Sequence, residues 1–132
     1  MQLTENRPEE QYFIHSLGPE AIQIVEDRYS RSLILSPVEG VREWSVDSFD
    51  ALEIGHFEPI LEWAPDVVLL ATGRTQRFPS HAIQIEMLRN NVGLEVMTLE
   101  AAARTFNVLA SEDRRVVAAL IWEPQVSGPA DS

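Results

Sequence analysis

The stretch VVLLATGRTQRFPS, Val67–Ser80, decides how the chain is read. Its first five residues, Val67–Ala71, are all apolar, the pattern of a strand buried on both faces. Gly73 supplies a turn, and Ser80 stands as N-cap of a helix expected to carry Ile83, Met87 and Leu88 on one face. That helix should stop near Asn90 and Asn91, since asparagine tolerates a left-handed C-cap. The short apolar run LEVM, Leu94–Met97, completes a β-α-β unit, whose crossover should be right-handed and whose strands should be parallel.

Downstream, Thr98 is placed to cap a second helix, LEAAARTFNVL, whose alanines permit close packing on a sheet. A turn at Ser111–Asp113 leads to the final strand in RRVVAALIW. Upstream, YFIHSL, AIQIVED and RSLILS read as short strands separated by a Gly18-Pro19 turn and a polar corner at Asp27–Tyr29, an antiparallel meander. VREWSV is a further strand candidate, and HFEPILEWA a short helix that tolerates Pro59 in its first turn. The sum is an α/β domain with a mixed β-sheet. Residues 1–11 and 123–132 have the composition of flexible ends, leaving 12–122 as a single domain.

At 132 residues and 45% hydrophobic content, the chain is large enough to bury a core without staples. There is no cysteine, which removes thiolate nucleophiles, disulfides and cysteine-held metals. All ten basic residues are arginines, so lysine Schiff bases and P-loop lysines are also excluded. The net charge is −11, and residues 1–66 hold fourteen acids against four arginines. Such a balance opposes nucleic-acid binding, which needs a clustered basic face. The polar N-terminus lacks the pattern of a targeting peptide and no apolar run approaches membrane-spanning length, so a cytoplasmic location without membrane insertion is expected.

Two groups of residues could hold a small anion. Gly73, Arg74, Arg77 and Ser80 combine a glycine turn, two forked donors and a helix start. Arg104, Thr105 and Asn107 sit where the second helix is expected to end. Each group also has a plain structural reading: a β-α connection for the first, and local backbone bonding by Thr105 and Asn107 for the second. One glycine without lysine makes neither a dinucleotide fingerprint nor a P-loop, and no cofactor is implied. His15, His56 and His81 have no metal-ligand spacing, and no serine lies in a nucleophile motif.

VGLEVM, AAARTFNVL and EDRRVVAALI together resemble a small domain-of-unknown-function family that includes mitochondrial complex I assembly factor 3 and the adipogenesis-associated Mth-type domain protein. The resemblance covers Tyr12–Ile121 and is most specific from Pro65. Ala71-Thr72-Gly73 stands where the family has Gly-Thr-Gly, and Asp113 where glycine is usual. What the resemblance implies is a three-layer α/β/α domain, no established enzymatic activity for bacterial members, and a partner-binding or assembly role in eukaryotic relatives. By that resemblance the chain is expected to be a bacterial member with a protein partner, a small anionic ligand being the alternative.

Overall fold

A computed structural model describes residues 12–123 except Pro19 and Arg74. The expected flexible ends lie outside the described residues, apart from Glu123. The chain runs β1 (Ile14–Leu17), β2 (Ile22–Ile24), β3 (Asp27–Tyr29), β4 (Leu33–Ser36), β5 (Gly40–Glu43), 3-10 turns at Phe49–Ala51 and Ile54–Phe57, α1 (Glu58–Glu62), β6 (Val67–Ala71), α2 (His81–Arg89), β7 (Gly93–Met97), α3 (Leu99–Ser111) and β8 (Val116–Leu120).

The apolar run at 67–71 forms the strand its composition demands. β6 pairs in parallel with β7 on one side and β8 on the other, and all five of its residues are buried. β4 joins β8 antiparallel and β5 joins β4, giving a mixed sheet of order β5-β4-β8-β6-β7. Alternate side chains divide between two cores, as the period of a strand requires. Leu69, Ala71, Ala118 and Leu120 face α3 and the first three strands, whereas Val68, Leu70, Val117 and Ala119 face α1, α2 and the segment around Trp44 and Phe57. The domain is therefore three-layered.

Both long helices begin where their capping residues dictate. The Ser80 hydroxyl accepts from the Ile83 N–H at 3.3 Å, and the Thr98 hydroxyl from the Ala101 N–H at 3.2 Å. On α3, Ala102, Ala103 and Ala110 bring the helix close to the sheet, and Phe106, fully buried, fills the remaining space. Removing a fully buried phenylalanine ring typically costs about 3–5 kcal/mol. α2 ends at Asn90, and Asn91 takes the left-handed conformation, φ 63°. Pro59 lies in the first turn of α1, where its missing N–H leaves no bond unmade.

Four expectations change. The polar corner Asp27–Tyr29 is itself a strand, joined to β2 through Val25 and Glu26, with Val25 at φ 54°. Strands β1–β3 form a sheet of their own that packs beside α3 in the core on that side of the main sheet, so the N-terminal meander is split between two sheets. The strand in VREWSV stops at Glu43, after which Trp44 and Val46 bury their side chains without strand pairing. Leu88 points outward at 76% exposure, because 100° of helical rotation separates it from buried Met87.

Ala64 closes α1 with φ 50°, a conformation that its Cβ opposes. Ala64→Gly should raise stability by about 0.5–1 kcal/mol, read as a higher denaturation midpoint with unchanged slope. An unchanged or lower midpoint would refute the assignment of strain.

Candidate functional site

The loop after β6 is closed from inside. The buried Thr72 hydroxyl donates to the Thr75 carbonyl at 2.7 Å and accepts from the Arg77 N–H at 3.0 Å. Gly73, at φ 97°, turns its carbonyl toward the start of α3 and accepts from the Leu99 N–H at 2.8 Å. That contact satisfies one of the N–H groups a helix start leaves unpaired. Ser80 is occupied as a cap. These bonds use the Arg77 and Ile83 N–H groups that an anion would need.

The Arg77 guanidinium is engaged as well. It lies 3.5 Å from both Asp50 and Glu123 and stacks over the Phe49 ring, 4.5 Å from its centroid. Glu123 also accepts from the Phe49 N–H at 2.8 Å, so one carboxylate ties the end of the last strand to the 3-10 turn and the loop. Such pairs, one to a largely exposed Asp50 and one to a half-exposed Glu123, contribute at most about 1 kcal/mol each. Their chief effect here is to neutralise the cation. Nothing in the sequence flags Asp50 or Glu123, which lie 27 and 46 residues from Arg77. Arg74 lies outside the described residues.

The second group stands elsewhere on the scaffold. α3 continues to Ser111, so Arg104, Thr105 and Asn107 lie within the helix rather than at its end. The helix starts beside Gly73 and finishes near Arg115, whose carbonyl accepts from the N–H groups of Asp66 and Val67 at the other end of β6. Asn107 is thus about 12 Å along the helix from Leu99, at about 1.5 Å per residue, toward the opposite edge of the sheet. Its amide is occupied on both sides: Oδ1 accepts from the Ile14 N–H and Nδ2 donates to the Ile14 carbonyl, each at 2.9 Å. This pair of bonds clamps β1 to α3. Arg104 is exposed and Thr105 half-buried.

Two surface clefts formed by described residues lie away from these groups. One, of about 380 Å³, is lined by Pro37, Trp63, Pro65, Arg114 and Arg115 at the N-terminal edge of the parallel strands. The other, a broader groove of about 770 Å³, passes Arg31, Arg42, Trp44 and His56. Open α/β sheets take ligands at the opposite edge, where Arg77 is already paired. Among the described residues no three histidines, aspartates or glutamates are grouped to hold a metal. Burial, then Asp27 and Tyr12, push the Tyr29 phenol above its usual value, so it stays protonated at neutral pH and offers no base.

The surface that sequence reasoning missed is apolar. Phe78, two residues before the α2 cap, is 67% exposed, Ile85 is 38% exposed, and Leu88 follows one helical turn after Ile85. α2 is therefore apolar on its inner face, through Ile83 and Met87, and on part of its outer face as well. The spacing of Ile85 and Leu88 at i and i+3 was a legible signal for this second stripe.

The chain matches the family described as "Protein of unknown function (DUF498/DUF598)" over residues 14–121. It is 28% identical over 95 residues to the "13 kDa major membrane protein" of Francisella tularensis, covering 70% of this chain and 76% of that protein. It is 30% identical over 115 residues to zebrafish "NADH dehydrogenase (ubiquinone) 1 alpha subcomplex assembly factor 3", covering 84% of this chain but 64% of that longer protein. A Xanthomonas campestris protein solved by NMR superposes with a TM-score of 0.81 at 38% identity, over 98% of each chain. A Bordetella pertussis protein described as an Mth938-like domain gives 0.79 at 25% identity, over 94% of this chain and 95% of that one. Among the described residues no helix is long and apolar enough to cross a membrane.

Two outcomes follow from the geometry. Asn107→Ala should cost about 2 kcal/mol in denaturant unfolding, because the backbone donor and acceptor of Ile14 lose their partners together. Phosphate and small carboxylates should leave the melting temperature unchanged, because Arg77 is already neutralised. A stabilisation that vanishes in Arg77→Ala would show that an anion displaces Asp50 and Glu123.

Proposed function

The chain belongs to the DUF498/DUF598 family, and from that premise we propose that it is a non-enzymatic module that binds a protein partner in an assembly role. The observation that carries the reading is the exposure of Ile85 and Leu88 on the outer face of α2 and of Phe78 in the loop that leads into it. Leaving a large apolar side chain in water forgoes about 1.5–3 kcal/mol of burial, which a partner would recover. The zebrafish relative, named as an assembly factor, supports the same direction. Against a small-anion site stand the paired Arg77 and the doubly bonded Asn107. The cytoplasmic location expected from the sequence belongs to this proposal, although the Francisella relative is named as a membrane protein.

Capture from a fractionated native lysate at physiological salt, with tags at either terminus, tests both parts. The chain should emerge in the cytoplasmic fraction with one stoichiometric protein partner. Phe78→Ser combined with Leu88→Ser should reduce recovery by about tenfold, a loss of roughly 1.4 kcal/mol, without lowering the melting temperature. Equal recovery by the double variant moves the contact away from α2. Absence of any stoichiometric partner with both tags ends the reading, and recovery with membranes overturns the location.

A further inference from the structure

β7 closes one side of the main sheet and, among the described residues, pairs only with β6, in an unbroken parallel register from Gly93 to Met97. The Gly93 N–H donates to the Asp66 carbonyl at 2.9 Å, and the Met97 carbonyl accepts from the Thr72 N–H at 3.0 Å. Backbone groups alternate in direction along a strand, so residues 93, 95 and 97 bond toward β6 while Leu94 and Val96 face the open edge. One contact supports this assignment: Gln76 Nε2 donates to the Val96 carbonyl at 2.8 Å. A side-chain amide thus occupies the place that a neighbouring strand's peptide N–H would take. Among the described residues nothing else bonds the Leu94 N–H, the Leu94 carbonyl or the Val96 N–H.

The other edge is protected differently. β5 carries Arg42 and Glu43, which pair with Glu62 and Arg31, and such charges blunt an edge. β7, GLEVM, has no proline, lysine or bulge, and its single charge is Glu95 at the centre. Leu94 and Val96 lean toward the α2 core, whereas exposed Glu95 projects from the other face. A second copy of the chain fits poorly, because the antiparallel register with fullest overlap sets Glu95 directly against its own counterpart, on a chain of net charge −11. A basic residue opposite Glu95, flanked by apolar residues beside Leu94 and Val96, matches the edge in charge and in side-chain alternation.

We propose that the free edge of β7 takes an extended apolar-basic-apolar segment of a protein partner as an added strand. This rests on the partner-binding reading and specifies how the partner engages. Main-chain bonds at Leu94 and Val96 give affinity, and Glu95 gives selectivity.

The probe is a displayed library of random peptides about ten residues long, a typical strand length and more, selected against the full chain. Enriched peptides should carry arginine or lysine between β-branched or aromatic residues. Leu94→Pro and Val96→Pro each remove an outward N–H and some packing on the α2 core while leaving the bonds to β6 intact, and should weaken those peptides by about tenfold or more. Gln76→Ala, which frees the Val96 carbonyl, should strengthen them. Glu95→Arg should switch enrichment to acidic peptides, a readout that survives even if a proline variant folds poorly. No enrichment, or peptides that bind both folded proline variants as well as the parent, overturns the proposal. If the lysate partner depends on Phe78 and Leu88 while no peptide is enriched, strand addition fails and the module reading stands. If neither partner nor peptide is found, both fail.

Discussion

The structure depends on β6 being covered on every side. Its two edges pair with β7 and β8 and its two faces are buried in separate cores, so every position in Val67–Ala71 is buried. Parallel neighbours cannot be joined by hairpins, so the chain must cross over between them. α2 provides the crossover from β6 to β7 and packs in one core, while α3 runs between β7 and β8 and packs in the other. The three layers follow from that single buried strand. The meander β1–β3 then has a defined task, because the α3 side of the sheet is only partly covered by one alanine-rich helix. Ile14, Ile22 and Ile24 complete that core, and the Asn107 amide fixes their position by bonding both backbone groups of Ile14.

The arginine loop shows how an apparent binding motif becomes a structural joint. A glycine turn, an arginine and a helix N-cap are ingredients of anion recognition, but recognition requires that their donors remain available. Here the Thr72 hydroxyl takes the Arg77 N–H, the Ile83 N–H bonds the Ser80 hydroxyl, and two carboxylates take the Arg77 side chain. The result joins the loop, the 3-10 turn at Phe49 and the end of β8. Among the described residues, the outer face of α2 and the edge of β7 keep groups without partners, one apolar and one hydrogen-bonding. Both suit contact with another polypeptide better than capture of a small charged molecule.

Much of the architecture was legible because local chemistry and global fold agree. The uninterrupted apolar runs at 67–71 and 116–121 announced doubly covered strands, Ser80 and Thr98 announced helix starts, and Asn91 and Asp113 occupy the left-handed positions that end their helices. Asp113 at φ 61° also gives a physical reason for the glycine usual there in the family. Less legible were the places where a short polar segment is rescued by its neighbours. Asp27–Tyr29 has no apolar alternation, yet its pairing with β2 makes it a strand. Leu88 carried an inward expectation because hydrophobicity alone does not reveal which of two apolar stripes on a helix meets the sheet.

By itself, the sequence determined the class of fold, the buried central strands, the helix caps and the exclusion of thiolate and lysine chemistry, since each depends on residue type and nearby spacing. Only the tertiary structure decided that Arg77 is neutralised by residues far away in the chain and that Asn107 is a clamp. It also revealed that Leu94 and Val96 turn their backbone groups to an open edge. Those facts depend on which distant atoms come within hydrogen-bonding reach, and three-dimensional closure of the chain, rather than local pattern, sets that proximity.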